Sequence, residues 1–384
     1  MSRQTDVLSP VGLVGIGLKD ASHNDQALIW RRYLRGMGML HRFLTALCTG
    51  LLCSTWTWAQ PASPTPAPKS APQKVDQAWP PERLQQVLQS VVTVQSRSDA
   101  QANTSRSLGQ RREGSGVVIG PDLVLTIGYL LLEAESVDLV NHQGRRIPGQ
   151  VRAVDNLSGL GLIRALVPLG LQAVPLGDSD ALPTPGKLWT LGQQETVPTA
   201  LELVSRKAFA GSWEYLLETP LMTLPAVNNW SGSGLFDAQG HLVGIGSLLV
   251  QDVYGDQVPL PGNLFVPVNL LKAMLPDWLN SGKSPGPAVP WLGINSQRLP
   301  GGGLGVLRVT PDSPAAQAGI AVGDTLLALQ GQSLEDLPDF YRRLRALGPA
   351  GTPLSLTVRS QDQTREVQLR SADRAAALKR PSGI

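Results

Sequence analysis

Between Gly114 and Phe265 the chain repeats one pattern: a short apolar segment, a few turn residues, then another short apolar segment. Val117–Ile119, Leu123–Thr126, Val137–Val140 and Val151–Val154 are examples. Such segments are too short to be helices and suit strands. Asn141-His142-Gln143-Gly144 reads as a hairpin turn, and so does Asp237-Ala238-Gln239-Gly240 between Leu235-Phe236 and Leu242-Val243-Gly244-Ile245. This spacing, kept over about 150 residues, predicts an all-β barrel or sandwich. The abundance of Gly (40) and Pro (31) in 384 residues agrees, because it favours turns over long helices.

What flanks this region divides the chain. Residues 41–59 read as a secretory signal: His41-Arg42 is a small basic start, Phe43 to Leu52 an apolar stretch, and Thr57-Trp58-Ala59 a small-residue cleavage site. The apolar stretch falls short of the about 20 residues a transmembrane helix needs. Export to the periplasm with cleavage after Ala59 is the expectation, which leaves no integral membrane segment in the mature chain. Residues 1–38 precede an ordinary start at Met39 and read as a mis-assigned beginning, with a long n-region of the signal as the alternative. Both cysteines, Cys48 and Cys53, lie inside the signal, so the mature chain has neither a disulfide nor a thiolate metal site. Residues 60–78 are rich in Pro, Ala and Ser and read as an extended tether.

The folded part is expected to open with a helix after Trp79-Pro80-Pro81-Glu82, carrying Leu84, Val87 and Leu88 on one face. Residues 96–113 are polar and read as a mobile loop. A helix is expected over 269–282, with Leu270, Leu271, Met274 and Leu275 sharing a face and Gly282 ending it. After a Ser284-Pro285-Gly286-Pro287 linker, a second domain carries a helix over 334–347, with Asp336 as a capping partner. Its last hairpin alternates Leu354, Leu356, Val358 and Val367, Leu369 around Gln361-Asp362. The net charge of +3 and the lack of any long Lys/Arg run give no reason to expect nucleic acid as a partner.

Five segments in order resemble the HtrA/Deg-type serine proteases. They are Gly114-Ser115-Gly116-Val117-Val118-Ile119, taken as the first barrel strand; Leu176-Gly177-Asp178-Ser179-Asp180 with Pro185-Gly186; Phe265-Val266-Pro267-Val268-Asn269; Trp291-Leu292-Gly293-Ile294; and Pro314-Ala315-Ala316-Gln317-Ala318-Gly319-Ile320 with Gly323-Asp324. The resemblance implies a mainly β chain: a trypsin-like double six-stranded β-barrel over 79–284, a PDZ domain over 285–373 and a tail over 374–384.

The same resemblance places the catalytic positions. Asn229-Trp230-Ser231-Gly232-Ser233-Gly234 stands where the family has Gly-Asn-Ser-Gly-Gly-Pro, so Ser231 keeps the nucleophile position and Asn229 replaces the oxyanion-hole Gly. Thr126-Ile127-Gly128-Tyr129-Leu130 puts Tyr129 at the His position. Asp155-Asn156-Leu157-Ser158-Gly159-Leu160 puts Gly159 at the Asp position. A serine hydroxyl needs a base to take its proton, and tyrosine is a weak base at neutral pH. His142 and His241 lie in turns, Asp155 reads as a turn or cap residue, and no lysine spacing suggests a Ser–Lys pair. The expectation is a pseudoprotease, with a slow or conditional endopeptidase using Ser231 as the alternative.

For the PDZ domain the resemblance implies capture of a peptide C-terminus by strand addition. Backbone N–H groups around Leu292, Gly293 and Ile294 would hold the carboxylate, and Tyr341 would line the groove, with Phe340 and Leu344 serving the core. Expected partners are peptide C-termini or unfolded envelope proteins, in a homotrimer or in co-assembly with an active relative. No cofactor and no metal are expected.

Overall fold

A computed structural model describes residues 79–255 and 259–378. The signal, the tether and the start of the chain lie outside the described residues. The first helix, α1 (Pro81–Ser90), has proline in its first turn, where the missing N–H costs nothing. Trp79 plugs the second barrel just ahead of α1: it packs 5.7 Å from Trp189 and 5.9 Å from Phe236, and its Nε1 donates to the Asp237 carbonyl at 2.9 Å.

Six strands follow: β1 (Val91–Ser98), β2 (Arg111–Val118), β3 (Leu123–Ile127), β4 (Ala134–Val140), β5 (Arg146–Val154) and β6 (Leu160–Ala165). They close a barrel in the order β1-β2-β3-β6-β5-β4. Closure removes the free edges that such short strands would otherwise expose. The expected hairpin turn at Asn141–Gly144 forms: the Gly144 N–H reaches the Asn141 carbonyl at 2.9 Å. The Gly114–Ile119 segment lies in the second strand of this barrel, not the first.

Residues 96–113 are not a loop. Most belong to β1, β2 and the one-turn helix α2 (Ser105–Leu108). The physical reason is Arg112, polar in sequence but buried: its guanidinium donates to the carbonyls of Tyr129 (3.0 Å) and Leu132 (2.6 Å) and to Thr104 Oγ1 (2.9 Å). Buried charge of this kind persists only when its donors are satisfied.

The second barrel is built from β7 (Gly186–Leu191), β8 (Thr199–Ser205), β11 (Leu221–Leu224), β12 (Gly234–Phe236), β13 (Leu242–Val250) and β14 (Gly262–Pro267), in the order β11-β14-β13-β12-β7-β8. Between β8 and β11 a small hairpin, β9 (Phe209–Gly211) with β10 (Tyr215–Leu217), leaves the barrel. Helix α3 (Val268–Ser281) then ends at Gly282 in the left-handed conformation, φ 73°. Its buried face is Val268, Leu271, Met274 and Trp278, while Leu270 faces out. Trp278, further along the helix, is fully buried, and Leu275 is half-buried against the same core.

The C-terminal domain has β15 (Pro290–Trp291), β16 (Ile294–Arg298), β17 (Leu304–Val309), α4 (Pro314–Gln317), β18 (Thr325–Leu329), β19 (Gln332–Ser333), α5 (Leu337–Ala346), β20 (Pro353–Ser360), β21 (Gln363–Arg370) and β22 (Ala372–Asp373). Its main sheet runs β16-β17-β18-β20-β21. Helix α5 starts later than the pattern suggested, at Leu337, because Asp336 is the cap itself and accepts the Asp339 N–H at 2.8 Å. The alternating last hairpin pairs Leu354 with Leu369 and Leu356 with Val367.

One residue in this domain's core comes from elsewhere. Leu216, on β10 of the barrel domain, is buried among Phe340, Tyr341 and Leu344. Burial of a leucine contributes roughly 1.5–3 kcal/mol, so the hairpin is a structural tie between the two domains.

Candidate functional site

Ser231 sits in the turn between β11 and β12, at the seam of the two barrels. Its carbonyl accepts the Ser115 N–H of β2 at 2.7 Å, and the next residue, Gly232, donates to Gly246 of β13 at 2.9 Å. Gly232 has φ +72°, and a Cβ there would run into the Ser115 carbonyl. Gly114 passes so close that a Cβ would lie 2.7 Å from Ser231 Oγ. The glycines of this stretch therefore let strand and turn touch.

Tyr129 follows β3 in a single 3-10 turn, Gly128–Leu130. Its hydroxyl donates to Ser231 Oγ at 2.7 Å, and its ring meets Trp230 edge-on at 6.5 Å. Burial pushes the phenol well above its ordinary pKa, against the smaller opposing effect of the bond to Ser231. The group touching the serine is thus a firmly held proton donor.

Gly159 lies beside this turn. It accepts the Gly128 N–H at 2.6 Å and has φ +78°. A Cβ at Gly159 would point at Tyr215, 3.3 Å from its hydroxyl, which donates to the Ser158 carbonyl at 2.8 Å. Tyr215 therefore fills the space into which a side chain at 159 would project. Asp155 is a turn-capping group: its carboxylate accepts the Ser158 N–H at 2.7 Å and the Ser284 hydroxyl at 2.9 Å. His241 pairs with Asp237 at 3.3 Å in the β12–β13 turn. Asn229 is not among the residues with positive φ; its side chain donates to the Gln193 carbonyl at 2.9 Å. An apolar cavity of about 450 Å³ opens beside Tyr129, walled by Trp213, Trp230, Trp291 and Leu248.

A second constellation lies at the PDZ groove. The N–H groups of Leu292, Gly293 and Ile294 converge on one carboxylate, that of Glu214 in the β9–β10 turn, at 2.8, 2.6 and 2.7 Å. Gly293 has φ +86°, with Ser313 where a Cβ would stand. Along β16 the Ser296 N–H reaches the Ser212 carbonyl at 2.9 Å. From the opposite wall the Tyr341 hydroxyl donates to Gly211 (2.8 Å) and accepts the Glu214 N–H (3.2 Å). Enclosure pushes the Glu214 carboxyl up to about 7, against the N–H bonds of Ile294 and Leu292, the Arg374 guanidinium and the Gly293 N–H. Arg342 on α5 adds a paired contact to Glu218, 2.7 Å at its shortest.

Sequence reasoning gathered Ser231, Tyr129 and Gly159 from three distant segments, and the fold brings them to one seam. It missed Glu214 and Tyr215. Nothing in Ser212-Trp213-Glu214-Tyr215 marks a ligand by itself; the signal is a long-range contact that a single sequence does not display.

Two closed six-stranded barrels with a serine-bearing turn at their seam, followed by a sheet capped by α5, define a trypsin-like peptidase fold joined to a PDZ domain. The trypsin-like peptidase domain family matches residues 114–245, and the PDZ domain family matches residues 305–360. In these two matches, and in the relatives that follow, the chain is similar to HtrA-type proteins. HhoB of Synechocystis, a protein named as a serine protease, is 26% identical over 274 residues, 64% of this chain and 63% of its own. The periplasmic serine endoprotease DegP of Escherichia coli is 26% identical over 266 residues, 63% of this chain and 53% of its own. The chain thus spans between half and two thirds of these curated relatives. The crystal structure of a serine endoprotease from Yersinia pestis aligns with 76% of this chain and 97% of its own, at TM-score 0.44 and 22% identity.

Proposed function

We propose that this chain is a non-hydrolytic HtrA-type protein of the periplasm, exported with cleavage after Ala59. It acts through its PDZ domain on peptide C-termini or unfolded envelope proteins, as a scaffold, chaperone-like holder or regulatory partner. It assembles as a homotrimer or with an active relative. The observation that carries the reading is the Tyr129–Ser231 hydrogen bond, which puts a phenol, not an imidazole, against the serine hydroxyl. A nucleophilic serine must give its proton to a neighbour as it attacks. Here the neighbour is a buried phenol whose pKa is raised, so near neutrality it already holds its proton and is no base for a second. With Tyr129 at the base position and Gly159 at the orienting position, the loss is that of a whole triad, roughly 10⁶ in turnover.

Two further observations support the reading. Asp155 is committed to its own turn and to Ser284, and His241 to Asp237, rather than to Ser231. The N–H groups of Leu292, Gly293 and Ile294 are aimed so that they bind a carboxylate. Among the described residues no helix is long and apolar enough to cross a membrane. The test is incubation with a fluorophosphonate probe and with unfolded casein. The expected result is no labelling and no cleavage. Labelling that disappears in Ser231→Ala would refute the reading in favour of a slow endopeptidase.

A further inference from the structure

We propose that the carboxylate-binding loop of the PDZ domain is a site for an internal ligand, the Gly211–Leu216 turn of the chain's own barrel domain, so that an outside peptide enters only by displacing Glu214. The inference rests on the reading of the PDZ groove as a peptide site and adds what occupies it.

Each part of a bound peptide has a counterpart in the hairpin. A peptide's terminal carboxylate would need the loop N–H groups; all three bind the Glu214 carboxylate. A peptide's backbone would add to the edge of β16; there the Ser212 carbonyl takes the Ser296 N–H. A peptide's apolar side chain would enter the groove against α5; Leu216 is buried there with Phe340, Tyr341 and Leu344. The Tyr341 hydroxyl clamps the turn from the other wall. Glu214 itself takes φ +58°, a conformation that a non-glycine residue seldom adopts, and that directs its side chain into the loop.

An internal ligand holds its site by proximity. It pays no translational cost of association, so a tethered group competes as if present at millimolar or higher concentration. A free peptide offering the same contacts is therefore disfavoured until the hairpin withdraws. The edge N–H of Ser296 and the three loop N–H groups are all taken by the hairpin at once, which distinguishes this from two domains merely lying in contact.

The full chain, its Glu214→Ala variant and its Glu214→Gln variant test this with two readouts. The first is amide hydrogen exchange over Trp291–Arg298. The wild type should be protected, and exchange at Leu292, Gly293 and Ile294 should rise at least about tenfold in Glu214→Ala. Glu214→Gln keeps the shape of the side chain and should rise by less, so it remains informative should the alanine variant fold poorly by circular dichroism. The second is anisotropy of a fluorescein-labelled hexapeptide ending in a free valine carboxylate, with its C-terminal amide as control. The acid peptide should bind Glu214→Ala at least about tenfold more tightly than wild type. Equal exchange in wild type and Glu214→Ala, or peptide bound by both proteins with equal affinity, overturns the internal-ligand proposal. Faster exchange in the variant with no peptide bound by either protein leaves the internal ligand standing and refutes the peptide-binding reading instead.

Discussion

Glu214 sets two effects against each other, and pH tells which one wins. Enclosure between the hairpin and the PDZ loop disfavours its charge. The N–H groups of Ile294, Leu292 and Gly293, together with Arg374, favour it. Enclosure is the larger, and the carboxyl rises from 4.5 to about 7. The groups facing it are Arg374 and the Tyr341 phenol, itself pushed up by burial; both keep their protons near neutrality. A carboxyl whose pKa rises on folding stabilises the fold fully below its unfolded value, and that contribution is lost as pH rises through the folded value. The window here is from 4.5 to about 7. At about 1.36 kcal/mol per pKa unit the whole loss is about 3 kcal/mol. Glu214 keeps some exposure at the hairpin tip, and solvent screening reduces this to roughly 2 kcal/mol.

Glu214→Gln has no proton to lose and serves as the reference. Urea unfolding of both proteins, followed by tryptophan fluorescence near pH 5 and near pH 8, isolates the term. The stability of the wild type relative to the glutamine variant should fall by roughly 2 kcal/mol between the two pH values. A relative stability that instead grows with pH would mean that the three N–H donors outweigh enclosure, and would refute the reasoning.

Other outcomes follow from the same geometry. Gly114→Ala drives a methyl group against Ser231 Oγ and the Leu130 side chain, both 2.7 Å from the new Cβ; a loss of about 1–3 kcal/mol in thermal or urea unfolding is expected. Restoring the triad positions with Tyr129→His and Gly159→Asp should yield no probe labelling of Ser231, because Tyr215 occupies the space beside 159 and φ +78° adds about 1 kcal/mol of strain. Leu216→Ala should cost about 2–5 kcal/mol in urea unfolding, although the residue belongs to the barrel domain by sequence.

Much of the barrel fold was legible because it rests on local rules. Alternation, turn residues and short segments mark β3, β4 and β5 in any window that contains them. The Asp237–Gly240 turn and the Gly282 helix end were readable for the same reason. Where a neighbour distant in sequence decides the outcome, local rules failed. Arg112 looks like a loop residue until the carbonyls of Tyr129 and Leu132 are brought to it. On α3 the leucine spacing placed Leu271, Met274 and Leu275 on the core side, but Leu270 is exposed and Trp278 extends the buried face.

By itself the sequence determined which chemical groups are available: Ser231, Tyr129 and Gly159 in three separate segments, and a Gly-containing loop whose N–H groups can meet an anion. Only the tertiary structure decided how those groups are used. It brought the Tyr129 hydroxyl onto Ser231, put Tyr215 beside Gly159 and seated Glu214 in the PDZ loop, some 80 residues away in the chain. The physical reason is that hydrogen-bond direction and the filling of a groove depend on what is within about 3 Å, and chain closure alone brings such groups that near.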